Sequence, residues 1–136
     1  MADIMSGSAR SRLMSRIRGK DTMPELRVRR YLHSRGLRFR LHAKDLPGKP
    51  DMVFPRYRTV LFVHGCFWHQ HPGCVYAVMP ASNTKFWRSK LEGNVLRDDR
   101  HASALESLGW RVLVVWECEV RNVERLKSLE GEIKAG

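Results

Sequence analysis

The spacing of apolar and polar positions predicts two helices in the first third of the chain. A short basic helix is expected over residues 9–18, ended by Gly19. Thr22-Met-Pro-Glu25 then has the pattern of a capping box with proline in the first turn, where its missing N–H costs little. We therefore predict a second helix from Met23 to Arg35, with Gly36 following its last turn.

The next segment has the alternation and the turn residues of a β-hairpin. Asp51–Phe54 and Arg58–His64 are predicted to be strands, joined by a turn at Pro55-Arg-Tyr57. A hairpin centred on Tyr57 would place Asp51 beside Val63, so both would lie at the same end of the sheet.

The second half of the chain predicts a long helix, a strand and a final helix. Ser82-Asn-Thr84 is typical of a helix start, and Phe86–Leu108 has a helical pattern interrupted by Gly93. Trp110–Trp116 is the most apolar segment and is expected to be a central strand buried on both faces. A basic helix begins near Asn122. The order α-α-β-β-α-β-α predicts a mixed α/β sheet flanked by helices.

The composition is that of a folded domain with a large positive charge. With 136 residues, 43% of them hydrophobic, the chain is expected to form one domain. No apolar run approaches the ~20 residues that span a bilayer, so we expect a soluble intracellular protein. The net charge of +11 favours a polyanionic partner; a membrane surface is the weaker alternative, because no segment pairs a broad apolar face with its charge.

The three cysteines fit a metal site better than a disulfide framework, since their number is odd and no secretion signal is present. Cys66, His71 and Cys74 have the spacing C-x4-H-x2-C, and Cys118 follows the last predicted strand. Four such ligands suit a closed, structural zinc site. The alternative is three buried cysteines and a surface histidine.

A second group of residues has the chemistry of phosphodiester hydrolysis. An aspartate at a strand end can bind Mg²⁺ through its carboxylate, and the backbone carbonyl of Val63 could add a second oxygen. The side chains expected near this end of the sheet are Glu25, Asp51, His64, His69 and Asp98. His69 is the candidate base, oriented by Asp98. Taken singly, however, an aspartate after proline is more often a turn cap, and a lone histidine is more often structural.

Aromatic residues form the third element of this candidate site. Phe67 and Trp68 lie in a loop crowded with possible ligands, so core packing does not readily explain them. Together with Trp87, their rings could be wedged between base pairs, which opens a duplex at one step. A mismatched step is easier to open than a paired one.

These segments closely resemble the very short patch repair endonucleases of bacteria, from the amino terminus through Trp116-Glu-Cys118. The matching motifs are D-T-x-x-E at Asp21–Glu25, L-P-G-K-P-D at Leu46–Asp51, H-G-C-F-W-H at His64–His69, F-W at Phe86–Trp87, N-V-x-R-D at Asn94–Asp98 and L-G-W-R-V-L-V-V-W-E-C at Leu108–Cys118. The combination of H-G-C-F-W-H with the distant W-E-C is highly specific for that family.

The resemblance implies a restriction-endonuclease-like fold with a mixed central sheet and an added structural zinc site. It also implies Mg²⁺-dependent nicking of one DNA strand, 5′ to the thymine of a T·G mismatch that arises when 5-methylcytosine deaminates. We expect residues 1–20 to form a basic helix that contacts DNA and residues 21–136 to form the catalytic core. The protein is expected to be a monomer. Its expected location is the bacterial cytoplasm, in association with the nucleoid. Assistance by mismatch-repair proteins, the preferred flanking bases and the number of Mg²⁺ ions stay open.

Carried over by position, the resemblance implies a role for each candidate residue. Asp51 would be the metal carboxylate, and His69 the general base with Asp98 as its partner. The residues assisting at the scissile phosphate would be Glu25 and His64. The zinc ligands would be Cys66, His71, Cys74 and Cys118. The residues intercalating beside the mismatch would be Phe67, Trp68 and Trp87 from the major groove and Met14 from the minor groove.

Two other functions are weighed against this one. A zinc-stabilised module that recognises mismatches without cutting would not need Asp51 and His69. A restriction-type nuclease that cuts both strands would carry an acidic residue and a lysine on the strand after its aspartate. Phe62-Val63-His64 stands there instead, so a histidine takes the place of the lysine.

Overall fold

The computed structural model describes residues 22–136. The basic helix predicted over residues 9–18 lies outside the described residues, as do Met14 and Asp21.

The first described helix, α1 (Met23–Ser34), begins and ends as its capping residues predict. The side chain of Thr22 accepts a hydrogen bond from the backbone N–H of Glu25 at 3.4 Å. Gly36 follows the helix with a φ of +87°, a conformation that glycine adopts without steric cost.

Two further α-helices lie within residues 22–136, α2 (Thr84–Ser107) and α3 (Val123–Lys134). The predicted interruption of α2 at Gly93 is wrong, because the helix is continuous through it. A helical glycine costs only about 1 kcal/mol relative to alanine, which the rest of a 24-residue helix easily outweighs. The predicted start of the last helix is confirmed: the side chain of Asn122 caps α3 by accepting a hydrogen bond from the backbone N–H of Arg125. No helix within residues 22–136 is long and apolar enough to cross a bilayer.

Residues 22–136 contain one mixed sheet of four strands in the order β1-β2-β3-β4. The strands are β1 (Arg40–Leu41), β2 (Met52–Phe54), β3 (Thr59–His64) and β4 (Arg111–Trp116). The predicted hairpin is confirmed: β2 and β3 are antiparallel and are joined by a 3₁₀ turn at Pro55–Tyr57. Strand β1 was not predicted, because two residues are too few to show an alternating pattern.

The position of β4 corrects another prediction. We expected a central strand, but in the described part of the chain β4 lies at the edge of the sheet, parallel to β3. Its side chains do pack on both faces, with Val115 in one hydrophobic cluster and Val112 against the other. An edge strand covered by helices on both faces is as apolar as a central one, so its sequence does not reveal its place.

The helices cover the sheet on two sides. The larger cluster joins α1 and α3 to one face through residues such as Leu32, Leu61 and Leu129, all fully buried. The smaller cluster joins α2 to the other face through Leu105, Val53 and Val60. This arrangement holds the ends of β2, β3 and β4 rigidly, and the candidate site is built at those ends.

Candidate active site and metal-binding cluster

Asp51 directly precedes β2 and lies beside the end of β3, as the sequence predicted. Its Oδ2 accepts a hydrogen bond from the backbone N–H of Val63 at 2.7 Å, which confirms the predicted proximity. Burial raises the pKa of the Asp51 carboxyl to about 7; the Val63 hydrogen bond lowers the pKa and the nearby charge of Glu25 raises it further. A carboxylate that is costly to ionise on its own is well suited to bind a cation.

Glu25 and His42 flank Asp51. Glu25 comes from α1 and is only 3% exposed, and His42 directly follows β1. One ligand atom from each of Glu25, His42 and Asp51 can be chosen so that all three lie within 4.8 Å of one another. The guanidinium of Arg29 also lies 3.7 Å from the Glu25 carboxylate. Sequence reasoning missed His42, because the short strand that presents it was itself not predicted.

The predicted pairing of His69 with Asp98 is present in the structure. Nδ1 of His69 lies 2.6 Å from Oδ2 of Asp98, which α2 supplies. With Nδ1 engaged by a carboxylate, Nε2 is the ring nitrogen left to accept a proton.

The ring of His64 stacks on that of His69 at a centroid distance of 3.8 Å. Burial, and then the neighbouring His69, lower the pKa of His64 to about 4, so its ring is neutral at pH 7. Its Nδ1 is buried without a hydrogen-bond partner among the described residues. The two stacked rings therefore differ in their partners: Nδ1 of His69 contacts a carboxylate, and Nδ1 of His64 has no partner among the described residues.

The four predicted soft ligands come together at the neighbouring end of β4. Ligand atoms of Cys66, His71, Cys74 and Cys118 all lie within 4.8 Å of one another. Nδ1 of His71 is 3.7 Å from the sulfur of Cys66 and 3.4 Å from that of Cys118. Zinc bonds of about 2.3 Å to sulfur and 2.0–2.1 Å to nitrogen give an S···N separation near 3.5 Å in a tetrahedron, so the donors fit such an ion.

Local contacts hold this cluster together. The ring of His71 stacks on Trp116 at 4.2 Å, and Glu117 accepts a hydrogen bond from the backbone N–H of Cys66. Burial raises the pKa of the Cys66 thiol to about 12, so a bound metal is needed to hold it as a thiolate near neutral pH. Glu117 is a further residue that sequence reasoning did not single out.

The three aromatic candidates for intercalation lie in one group. The ring of Phe67 lies 5.2 Å from that of Trp68 and 5.6 Å from that of Trp87, which α2 supplies. All three are half-buried, so each ring is anchored and still reaches solvent. Asn94 fixes the loop by donating a hydrogen bond to the carbonyl of Trp68 at 3.1 Å. Because Trp68 precedes His69, the aromatic group adjoins the histidine pair.

Comparison with known proteins identifies the family. The model of the family described as DNA mismatch endonuclease Vsr matches residues 2–74, more than half of the chain. The chain belongs to this family. It is an endodeoxyribonuclease, as the sequence predicted.

Three similar proteins agree with this assignment over almost the whole chain. The type II nicking enzyme V.XorIIP of Xanthomonas oryzae pv. oryzae is 52% identical over 128 residues, covering 94% of this chain and 93% of the relative. The type II nicking enzyme V.NmeAIP of Neisseria meningitidis is 46% identical, covering 98% of each chain. The DNA mismatch endonuclease Vsr of Escherichia coli is 48% identical, covering 93% of this chain and 80% of the relative.

Proposed function

We propose that this endonuclease nicks one DNA strand 5′ to the thymine of a T·G mismatch formed by deamination of 5-methylcytosine. The observation that carries the proposal is the His69–Asp98 pair, stacked on His64 at the sheet end that presents Asp51. The names of the relatives, a mismatch endonuclease and nicking enzymes, support both the substrate and the single-strand cut.

The oxygen donors around Asp51 can hold Mg²⁺. Asp51 and the backbone carbonyl of Val63 would hold the ion, with Glu25 close by as a second carboxylate. When bound, Mg²⁺ would supply positive charge that stabilises the charge developing on the scissile phosphate.

The histidines and Asp98 would move the proton. His69 accepts a proton from the attacking water at Nε2, while Asp98 holds the ring and stabilises its positive charge. His64 stays neutral because burial lowers its pKa, so it can donate a hydrogen bond to a phosphate oxygen without adding a second charge beside His69.

The aromatic group would provide the preference for a mismatch. Inserting Phe67, Trp68 and Trp87 between base pairs costs a few kcal/mol per unstacked step, and less where pairing is already weakened. On this proposal Met14 enters from the minor groove, and residues 1–20 contact the duplex through their basic side chains.

Zinc would be structural at Cys66, His71, Cys74 and Cys118. Four protein ligands leave no position for an activated water. The ion would tie the loop that follows β3 to the segment that follows β4, and so would hold Phe67, Trp68 and His69 in place.

A nicking assay on labelled duplexes tests the proposal. Duplexes identical except for a central T·G, T·A or C·G pair, each with several flanking sequences, carry distinct labels on the two strands. With Mg²⁺ we expect one cut, in the thymine strand of T·G duplexes only. Equal cutting of matched duplexes, or cuts in both strands, would contradict the proposal.

The variant Asp51→Ala tests the assignment of the metal carboxylate. It should abolish nicking while binding to the T·G duplex stays largely intact, because the aromatic group and the basic surface are unchanged. Gel-shift measurements of duplex binding and single-turnover measurements of nicking, made on the same preparation, separate the two activities. Normal cleavage by the variant would remove Asp51 from the mechanism.

A further inference from the structure

His42 has no role in the mechanism above, yet the sheet presents it directly to Asp51. Strands β1 and β2 pair Leu41 with Met52, so the next position brings His42 opposite Asp51. The backbone N–H of His42 donates to the carbonyl of Asp51 at 3.1 Å, which continues the ladder by one residue. The two residues are therefore joined through their main chains.

The backbone turns at His42. Its φ of +49° lies in the left-handed region, which histidine enters more readily than most residues and which four other described non-glycine residues also adopt. The turn fixes the direction of the chain and does not by itself mark a site. Here the turn at His42 follows the last residue of β1.

The side chain of His42 faces two carboxylates. Its Nε2 is 3.8 Å from Oε2 of Glu25, and the ligand atoms of Glu25, His42 and Asp51 lie within 4.8 Å of one another. Bonds of about 2.1 Å from one ion place its ligands about 3–4.2 Å apart, so this group needs little adjustment to surround a cation. Arg29 also contacts Glu25, at 3.7 Å, and its charge would remain beside the bound ion.

The chemistry of these donors decides which ion fits. Mg²⁺ binds oxygen ligands and gains little from an imidazole, whereas the later first-row transition metals bind imidazole well, and Mn²⁺, at the weak end of that series, still accepts it beside carboxylates. We propose that His42 is a direct nitrogen ligand of the Asp51 centre and gives it a preference for a divalent first-row transition metal, such as Mn²⁺, over Mg²⁺. This inference rests on the proposed function, because it adds a ligand to the same carboxylate.

Binding of Mn²⁺ to the full-length, zinc-loaded protein tests this directly. Pulsed electron paramagnetic resonance should detect ¹⁴N coupling to bound Mn²⁺ in the unaltered protein. In His42→Gln that coupling should disappear and the Mn²⁺ Kd should rise by at least about 10-fold, because the loss of even an outer-shell partner of a ligand costs that much. The Mg²⁺ Kd, measured by displacement of Mn²⁺, should change less than about threefold, because Mg²⁺ gains little from nitrogen. The matched control is His33→Gln, an exposed histidine on α1, which should leave both values unchanged.

Several results would overturn the inference. Absence of ¹⁴N coupling in the unaltered protein does so without any variant, and so does coupling that persists in His42→Gln. Equal losses of Mn²⁺ and Mg²⁺ affinity would show that His42 only orients Glu25. Zinc content and circular dichroism check that the variant is folded.

Failure of the proposed function is distinguishable from these outcomes. A protein that nicks T·G duplexes with Mg²⁺ but shows no ¹⁴N coupling refutes the metal preference alone. A protein that nicks no duplex with either metal refutes the proposed function, and the Mn²⁺ spectra still decide whether His42 is a ligand.

Discussion

His69 and His71 are separated by a single residue, yet they belong to two chemically different sites. Nδ1 of His69 lies 2.6 Å from the carboxylate of Asp98, while Nδ1 of His71 lies 3.4 Å from the sulfur of Cys118. The intervening Gln70 has a φ of +49°, and the chain turns there. An imidazole beside a carboxylate suits proton transfer, and one among thiols suits a soft metal, so the partners decide the chemistry of each ring.

Substitution of the two histidines should separate the sites most clearly. His69→Ala should lower the single-turnover nicking rate by roughly 10²–10⁴-fold if His69 is the general base, with zinc content unchanged. His71→Ala is the matched substitution two positions away, and it should lower zinc content and thermal stability instead. A His69→Ala protein that loses zinc, or that nicks at the normal rate, would contradict the division of roles.

Removing a remote ligand tests whether the cysteine–histidine cluster is structural. Cys118→Ser should lower zinc content and reduce the free energy of unfolding by about 3 kcal/mol, which lowers Tm by roughly 10 °C for a chain of this size. Elemental analysis and thermal unfolding measure the two effects. The folded variant, assayed well below its Tm, should still nick. A zinc-free variant of unchanged stability would show that the cluster is misassigned.

The smallest expected effect is a change of protein stability with pH that arises from the Asp51 carboxyl. The Asp51 carboxyl has a pKa of about 7 in the folded protein against 3.8 for an unperturbed carboxyl, so between those values the folded state binds more protons than the unfolded state. Its contribution to stability therefore falls as pH rises through this range, by on the order of 2 kcal/mol between pH 5 and 7.

The lowered pKa of His64 has the opposite sign. Stability linked to His64 increases as pH rises from about 4 to 6.5, so the two effects oppose each other in the unaltered protein. Denaturant unfolding of the unaltered protein and of Asp51→Asn, both zinc-loaded and without added Mg²⁺ or Mn²⁺, isolates Asp51 by difference. The unaltered protein should lose stability relative to the variant as pH rises; a constant difference would contradict the raised pKa.

Local sequence patterns predicted the elements that are determined by residues close together in the chain. The cap at Thr22, the hairpin around Tyr57 and the start of α3 depend on residues only a few positions apart. The hairpin also predicted that Asp51 meets Val63, because an antiparallel register follows from its turn. The edge position of β4 was not predictable in this way, because it depends on which strand pairs with which across many intervening residues.

By itself, the sequence determined the kinds of chemistry present: a family motif, four soft ligands, a carboxylate at a strand start and an aromatic pair beside a histidine. The sequence also predicted that His69 meets Asp98 and that His71 joins Cys118. Only the tertiary structure decided the contacts that no motif indicates: it stacked His64 on His69, and it brought the unpredicted His42 to Asp51. The physical reason is that a side chain acquires its pKa and its ligands from neighbours in space, and those neighbours come from α1, α2 and the ends of separate strands.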